Sequence, residues 1–332
     1  MTIVSRLQLN LSILAIILSA DHSTICSASK SIGGRTMEIT NVPFIVSLQE
    51  QPSGHFCGGT LLTSSSVLTS CHCVGMLTAG TNPSSVPLRK MRSLTVQAGS
   101  QVLANQSKSV QRVKVERIIF HPNCSFMHFR VYDFAILALT SELELNEQVQ
   151  PVQLFSLDRN EYDRETKRIS NDTNAECFVA GWEKNSTKST DFTVVRMRII
   201  GDGDCRQKLG REESKFLNFS FWNNAQMCTV PNEERKNASD CTGDSGGPFF
   251  CGKYIFGVIS YGYDCRFWDA PNAYAKVADF VDWYKMCEIQ KVFKPRSSIR
   301  DYSSVDAVSG TSVILILPVI ATILYSRVMV HA

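Results

Sequence analysis

The stretch Asp240-Cys241-Thr242-Gly243-Asp244-Ser245-Gly246-Gly247-Pro248 puts a hydroxyl nucleophile, nearby carboxylates and a cysteine into one glycine-rich turn. A serine hydroxyl is a poor nucleophile at neutral pH. It works only beside a general base, and near donors that receive the negative charge of a tetrahedral intermediate. The glycines at 243, 246 and 247 permit strained backbone, and they let a carbonyl approach the main-chain N–H groups of Gly243 and Ser245, the expected oxyanion donors. Taken alone, the stretch is equally well read as a glycine-rich turn with an incidental serine.

Two other segments bear on that alternative. Thr69-Ser70-Cys71-His72-Cys73 follows the apolar, β-branched run Val67-Leu68-Thr69, and Tyr132-Asp133-Phe134-Ala135-Ile136-Leu137 sets one acid at the head of an apolar, strand-like run. A lone histidine is usually structural, and a lone aspartate before a strand is usually a turn residue. Here the chain order is His72, Asp133, Ser245, one of the orders in which a nucleophile, its base and the base's orienting acid occur. These residues resemble the chymotrypsin-like (trypsin-fold) serine proteases over roughly residues 31–290. The resemblance implies an all-β fold of two antiparallel β-barrels with a C-terminal helix, and an active cleft between the barrels. His72 and Asp133 then come from the first half and Ser245 from the second.

The resemblance also implies the crosslinks. Cys57 is expected to join Cys73, Cys177 to join Cys251, Cys205 to join Cys228, and Cys241 to join Cys265. Cys26, Cys71, Cys124 and Cys287 remain; a Cys124 to Cys287 bridge is a reasonable extra, and Cys71 is expected as a small buried residue. In the family a freed N-terminal ammonium pairs with the acid before the nucleophile, here Asp244. Cleavage after Lys30 would free Ser31, a departure from the usual Ile or Val that forgoes roughly 1.5 to 3 kcal/mol of apolar burial. The specificity pocket is expected from Ser239, Asp240, Ser260, Gly262 and Asn272. Ser239 stands at the position of the pocket base and Asp240 one residue on, while Asn272 faces Gly262 where the family commonly has glycine. That combination implies a shallow, polar, mildly acidic slot that takes Lys or small polar residues weakly and large aromatics badly.

The whole chain suits this reading. Its 332 residues allow one large β domain plus tails; 44% hydrophobic and 20% charged residues with a net charge of +3 exclude a disordered protein and give no case for nucleic acid as a partner. Residues 1–20, with Arg6, an apolar core from Leu11 to Leu18 and a small-residue end at Ser19-Ala20, have the pattern of a secretory signal peptide. Residues 21–30 then form a pro-segment. Secretion permits disulfides, and the 12 cysteines show no zinc-finger spacing, so no metal or other cofactor is expected. Asn105, Asn123, Asn171, Asn185, Asn218 and Asn237 start Asn-x-Ser/Thr sequons, which belong on exposed loops.

Between Asn41 and Leu139 the sequence predicts short strands at Phe44–Leu48, Gly59–Leu62, Leu94–Val96, Val113–Val115 and Ala135–Leu139. A second strand-rich half runs from Cys177 to Val277, and Phe280 to Cys287 is expected as a closing helix with Trp283 on its buried side. Beyond it, residues 291–306 form a basic linker. Residues 307–332 form a hydrophobic membrane-attachment segment, readable as a short spanning helix or as a removable GPI signal. The expected function is a secreted or surface-attached serine endopeptidase acting on proteins or peptides through an acyl-enzyme. Serpin-type inhibitors and an activating protease are its expected partners. The alternative is a protease homologue, weak or silent in catalysis, that works as a binding or regulatory protein. Ser31, Asn272, and Glu183 where the family usually has glycine all point that way.

Overall fold

The computed structural model describes residues 37–75, 93–104, 107, 109–125, 129–182, 192–232, 245–262 and 271–289, all within the compact unit Met1–Ser297. The expected signal peptide, pro-segment, linker and C-terminal attachment segment lie outside them. Twelve strands close into two antiparallel barrels. The first holds β1 (Ile45–Glu50), β2 (Gly54–Thr63), β3 (Ser66–Thr69), β4 (Leu94–Ala98), β5 (Gln111–Phe120) and β6 (Ala135–Leu139). The second holds β7 (Cys177–Trp182), β8 (Phe192–Ile200), β9 (Gln226–Pro231), β10 (Pro248–Cys251), β11 (Tyr254–Tyr261) and β12 (Asn272–Lys276). The two barrels share one strand order, β1-β2-β3-β6-β5-β4 and β10-β11-β12-β9-β8-β7, when the second is read from its other end.

Strand β6 shows how sequence builds this pair. All its residues are buried, so it reads as a continuous apolar run, yet its two faces meet different partners. Ala135, Leu137 and Leu139 enter the core of the first barrel with Val46, Leu61 and Val96. Ile136, with Phe134 just before the strand, joins the larger core that contains Trp182, Phe249 and Tyr274 of the second barrel. Asp133 therefore heads a strand gripped on both sides, a firm base for a buried side chain.

Four α-helices accompany the barrels among the described residues: α1 (Cys71–Val74), α2 (Arg159–Ser170), α3 (Asp202–Glu212) and α4 (Val281–Ile289). Helix α4 takes the place expected for the closing helix, and Trp283 is buried against Phe280 and His121 as expected. Helix α2 was not expected. The Asp158 carboxylate accepts the Glu161 N–H at 2.8 Å and caps it, and Tyr162, Thr166 and Ile169 make its buried stripe.

Three expected disulfides are present: Cys57–Cys73, Cys177–Cys251 and Cys205–Cys228. Cys241 and Cys265 lie outside the described residues, as does Cys26. The expected Cys124–Cys287 bridge is corrected: Cys124 joins Cys71, with Cα atoms 6.7 Å apart. The turn that carries His72 brings Cys71 within disulfide reach of the loop after β5. Cys287 is instead buried in the larger core. Cys71 is buried as expected, but as half of a cystine. The three sequon asparagines among the described residues, Asn123, Asn171 and Asn218, are exposed.

Candidate active site

His72 sits in the single turn α1, and both of its sequence neighbours are crosslinked. Cys73 is tied back to β2 through Cys57, and Cys71 is tied forward to Cys124 in the loop that leads to Asp133. A short helix with little hydrogen bonding of its own is thereby pinned from both ends. The histidine and aspartate segments, far apart in sequence, are held together covalently.

Asp133 is fully buried, and each of its oxygens has partners. Oδ1 accepts the His72 backbone N–H at 2.9 Å, and Oδ2 lies 2.7 Å from His72 Nδ1. The Ser260 hydroxyl of β11 also donates to Oδ2. Burial pushes a carboxyl upward, but the charge of a protonated His72, its ring hydrogen bond, the Ser260 hydroxyl and the His72 N–H together outweigh burial and hold Asp133 below its ordinary value. An ionised Asp133 can only accept, so it fixes the ring with the proton on Nδ1 and leaves Nε2 free as the basic nitrogen.

Ser245 arrives from the second barrel, in the turn leading into β10. Its carbonyl accepts the Gly58 N–H of β2 at 2.8 Å and lies 3.5 Å from Cys73 Sγ, which itself is 3.8 Å from His72 Nε2. The Ser245 main chain and the His72 ring thus flank one sulfur. The approach is so close that only glycine fits next: Gly246 has φ +82°, and a Cβ there would stand 2.2 Å from Thr69 Oγ1 and 2.6 Å from the Gly58 carbonyl. The Ser70 hydroxyl adds a second tie across the barrels, donating to the Ile259 carbonyl at 2.6 Å.

Of the other expected site residues, Ser260, Gly262 and Asn272 are brought together. Asn272 is buried at the start of β12, and a Cβ on Gly262 would meet its Oδ1 at 1.7 Å, so the asparagine side chain lies against the Gly262 backbone. Ser239, Asp240, Gly243, Asp244, Lys30 and Ser31 fall outside the described residues. Two triplets bring possible metal-binding atoms together, Cys57 with His72 and Cys73, and Cys71 with Cys124 and Asp133. All four cysteines in them are disulfide-bonded and have no thiolate to offer a metal. Among the described residues, no helix is long and apolar enough to cross a membrane.

Residues 31–284 match the trypsin family model. The chain belongs to the chymotrypsin-like serine protease family. It is 29% identical over 263 residues to trypsin 5G1 of Aedes aegypti, covering 78% of this chain and 85% of that protein. It is 28% identical to serine protease 1 of Rattus norvegicus, covering 82% and 95%, and 26% identical to granzyme B(G,H) of Mus musculus, covering 82% and 97%. Against the family's framework, two features escaped the sequence reading. The Ser260 hydroxyl, from a residue expected only in the specificity pocket, contacts Asp133. Arg130, three residues before Asp133, donates from Nη1 to the Ser260 carbonyl at 2.8 Å. Nothing in the local sequence signals either contact, because each joins segments more than 120 residues apart.

Proposed function

We propose that this chain is a serine endopeptidase in which Ser245 is the nucleophile, His72 the general base and Asp133 the residue that orients and charges the pair. The observation that carries the reading is the fully partnered Asp133 carboxylate against His72, beside the Ser245 turn. Ser245 Oγ attacks the peptide carbonyl as its proton passes to His72 Nε2. Asp133 stabilises the imidazolium, and the Gly243 and Ser245 N–H groups receive the oxyanion. The imidazolium then protonates the leaving amine, the C–N bond breaks, and the acyl group stays on Ser245. Water, deprotonated by the same nitrogen, releases the acid and restores the serine.

Around this core we infer a secretory-pathway protein, on the strength of the apolar N-terminal segment and the disulfides. It is activated by a protease that cuts after Lys30, so that Ser31 pairs with Asp244. It is glycosylated at exposed sequons, open to serpin-type inhibitors and attached to the cell surface through residues 307–332. Labelling by a serine-reactive phosphonate after cleavage at Lys30 tests the catalytic reading. A folded, cleaved protein that takes no label at Ser245 refutes it. A second reading, a binding protein on a protease scaffold, is favoured by Asn272 lying where an open slot needs space. Ser245→Ala separates the two: full biological effect in that variant selects the binding role.

A further inference from the structure

The loop just before Asp133 carries more backbone strain than its length requires. Arg130 has φ 42° and Tyr132 φ 50°, two non-glycine residues in left-handed backbone within three positions. Such residues persist only where their surroundings over-determine them. Here the surroundings are explicit. The fully buried Gln226 donates from Nε2 to the carbonyls of both Phe129 and Arg130, the latter at 3.0 Å, and its Oε1 accepts the Tyr261 hydroxyl at 3.0 Å. Phe129 stacks on Phe219 with ring centroids 4.2 Å apart. Gln226 and Phe219 thus clamp the backbone on either side of Arg130, and the same glutamine ties that loop to the residue after Ser260.

The clamp aims a half-buried guanidinium at Ser260. Ser260 falls at the register irregularity between β11 and β12, where Ile259 pairs with Tyr274 and Tyr261 with Ala273, so it has no partner in β12. Its carbonyl has two acceptor positions, and Arg130 takes one. Arg130 spends one of five N–H donors on that contact, and among the described residues no carboxylate pairs with it. The result is an under-used, rigidly mounted fork of donors beside the Asp133–His72 pair. Its natural complement is a carboxylate, which it binds bidentately.

We propose that Arg130 is a specificity-determining residue that selects peptides carrying an Asp or Glu side chain close to the cut bond. The proposal rests on the protease reading above, and it adds Arg130 to the residues expected to meet the substrate. A peptide strand laid along Ser260–Gly262 uses the second acceptor position of the Ser260 carbonyl, which brings the remaining Arg130 donors to its side chains. A glutamate there exchanges water for a charge-assisted pair, and a glutamine makes a weaker neutral bond.

The test uses pairs of peptides that differ only by Glu or Gln at each residue before the cut bond in turn. Their binding is measured by fluorescence anisotropy to the cleaved protein carrying Ser245→Ala, with and without Arg130→Gln. A hydrogen bond to a charged group corresponds to roughly tenfold in affinity, so one Glu peptide is expected to bind about tenfold tighter than its Gln partner. Arg130→Gln removes that ratio, Arg130→Lys restores part of it, and raised salt compresses it. Equal binding of every pair, no measurable binding of any, or a ratio that survives Arg130→Gln overturns the proposal. Phosphonate labelling of the protein with Ser245 intact is scored separately. A failure to label strikes the catalytic reading, while the binding ratios judge Arg130.

Discussion

The Ser260 hydroxyl donates to Asp133 Oδ2, the same oxygen that faces the His72 ring nitrogen. One carboxylate oxygen therefore joins the second barrel to the histidine of the first. The aspartate is ionised, buried and held by three donors, which is what keeps an imidazole in one tautomer.

Replacing that carboxylate by an amide keeps the shape and loses the charge. Asp133→Asn presents an N–H where Nδ1–H needs an acceptor, so the ring settles in the wrong tautomer or turns away. We expect a folded protein whose kcat falls by about 10^4, measured on any peptide ester the wild type cleaves. Ser260→Ala removes one of the donors to a buried carboxylate, and a milder loss is expected. Wild-type turnover in Asp133→Asn contradicts the assigned role.

The Cys71–Cys124 bridge spans 53 residues of sequence and links the two segments that carry His72 and Asp133. Loop-closure entropy for a span of that length corresponds to about 4 kcal/mol of stability, commonly realised as 2 to 4. The double variant Cys71→Ala/Cys124→Ala is expected to unfold at lower denaturant and to lose phosphonate labelling before it loses its barrels. Peptide mapping under non-reducing conditions that finds Cys124 joined to Cys287 refutes the pairing.

What the sequence made legible follows from how each feature is encoded. His72, Asp133 and Ser245 lie in short local patterns, and β6 is an apolar run with sharp ends, so each can be read from its own neighbours. Helix α2 was also locally encoded, by the Asp158 cap and the spacing of Tyr162, Thr166 and Ile169, but its polar composition hides a narrow buried stripe. The partner of Cys71 and the grip of Gln226 on Arg130 depend on where separate segments land in space. No local pattern carries that information.

His121 makes the stability of this region depend on pH. Its ring is stacked on Tyr132 with centroids 4.8 Å apart and set edge-on to Trp283, and its Nδ1 accepts the Asn123 N–H at 3.1 Å, which requires the neutral form. Burial lowers its pKa from 6.5 to about 4. The unfolded chain therefore binds a proton that the folded one refuses. Its contribution is fully present above pH 6.5, is lost as pH falls from 6.5 towards 4, and does not change further below that. His121→Phe keeps the aromatic packing and is expected to flatten the pH dependence of the denaturation midpoint across that window. An unchanged slope in the variant rejects the assignment.

We expect the selectivity of the main pocket to turn on Asn272. Its side chain is buried and lies so close to Gly262 that any side chain at 262 would collide with Oδ1. A side chain at 262 would force the Asn272 amide to move, because that amide fills the space beside the Gly262 backbone. Asn272→Gly vacates that space without altering the strand pairing of Asn272 with Thr229, which is made by main chain. Room for extra methylenes in a pocket changes discrimination by roughly 10- to 200-fold. We expect Asn272→Gly to raise kcat/KM for peptides with large residues before the cut bond by about tenfold over wild type, with small polar residues little affected. A positional peptide library read with both proteins decides it. A wild type that already prefers Phe, Tyr or Leu, or a variant with an unchanged profile, shows that Asn272 does not limit the pocket.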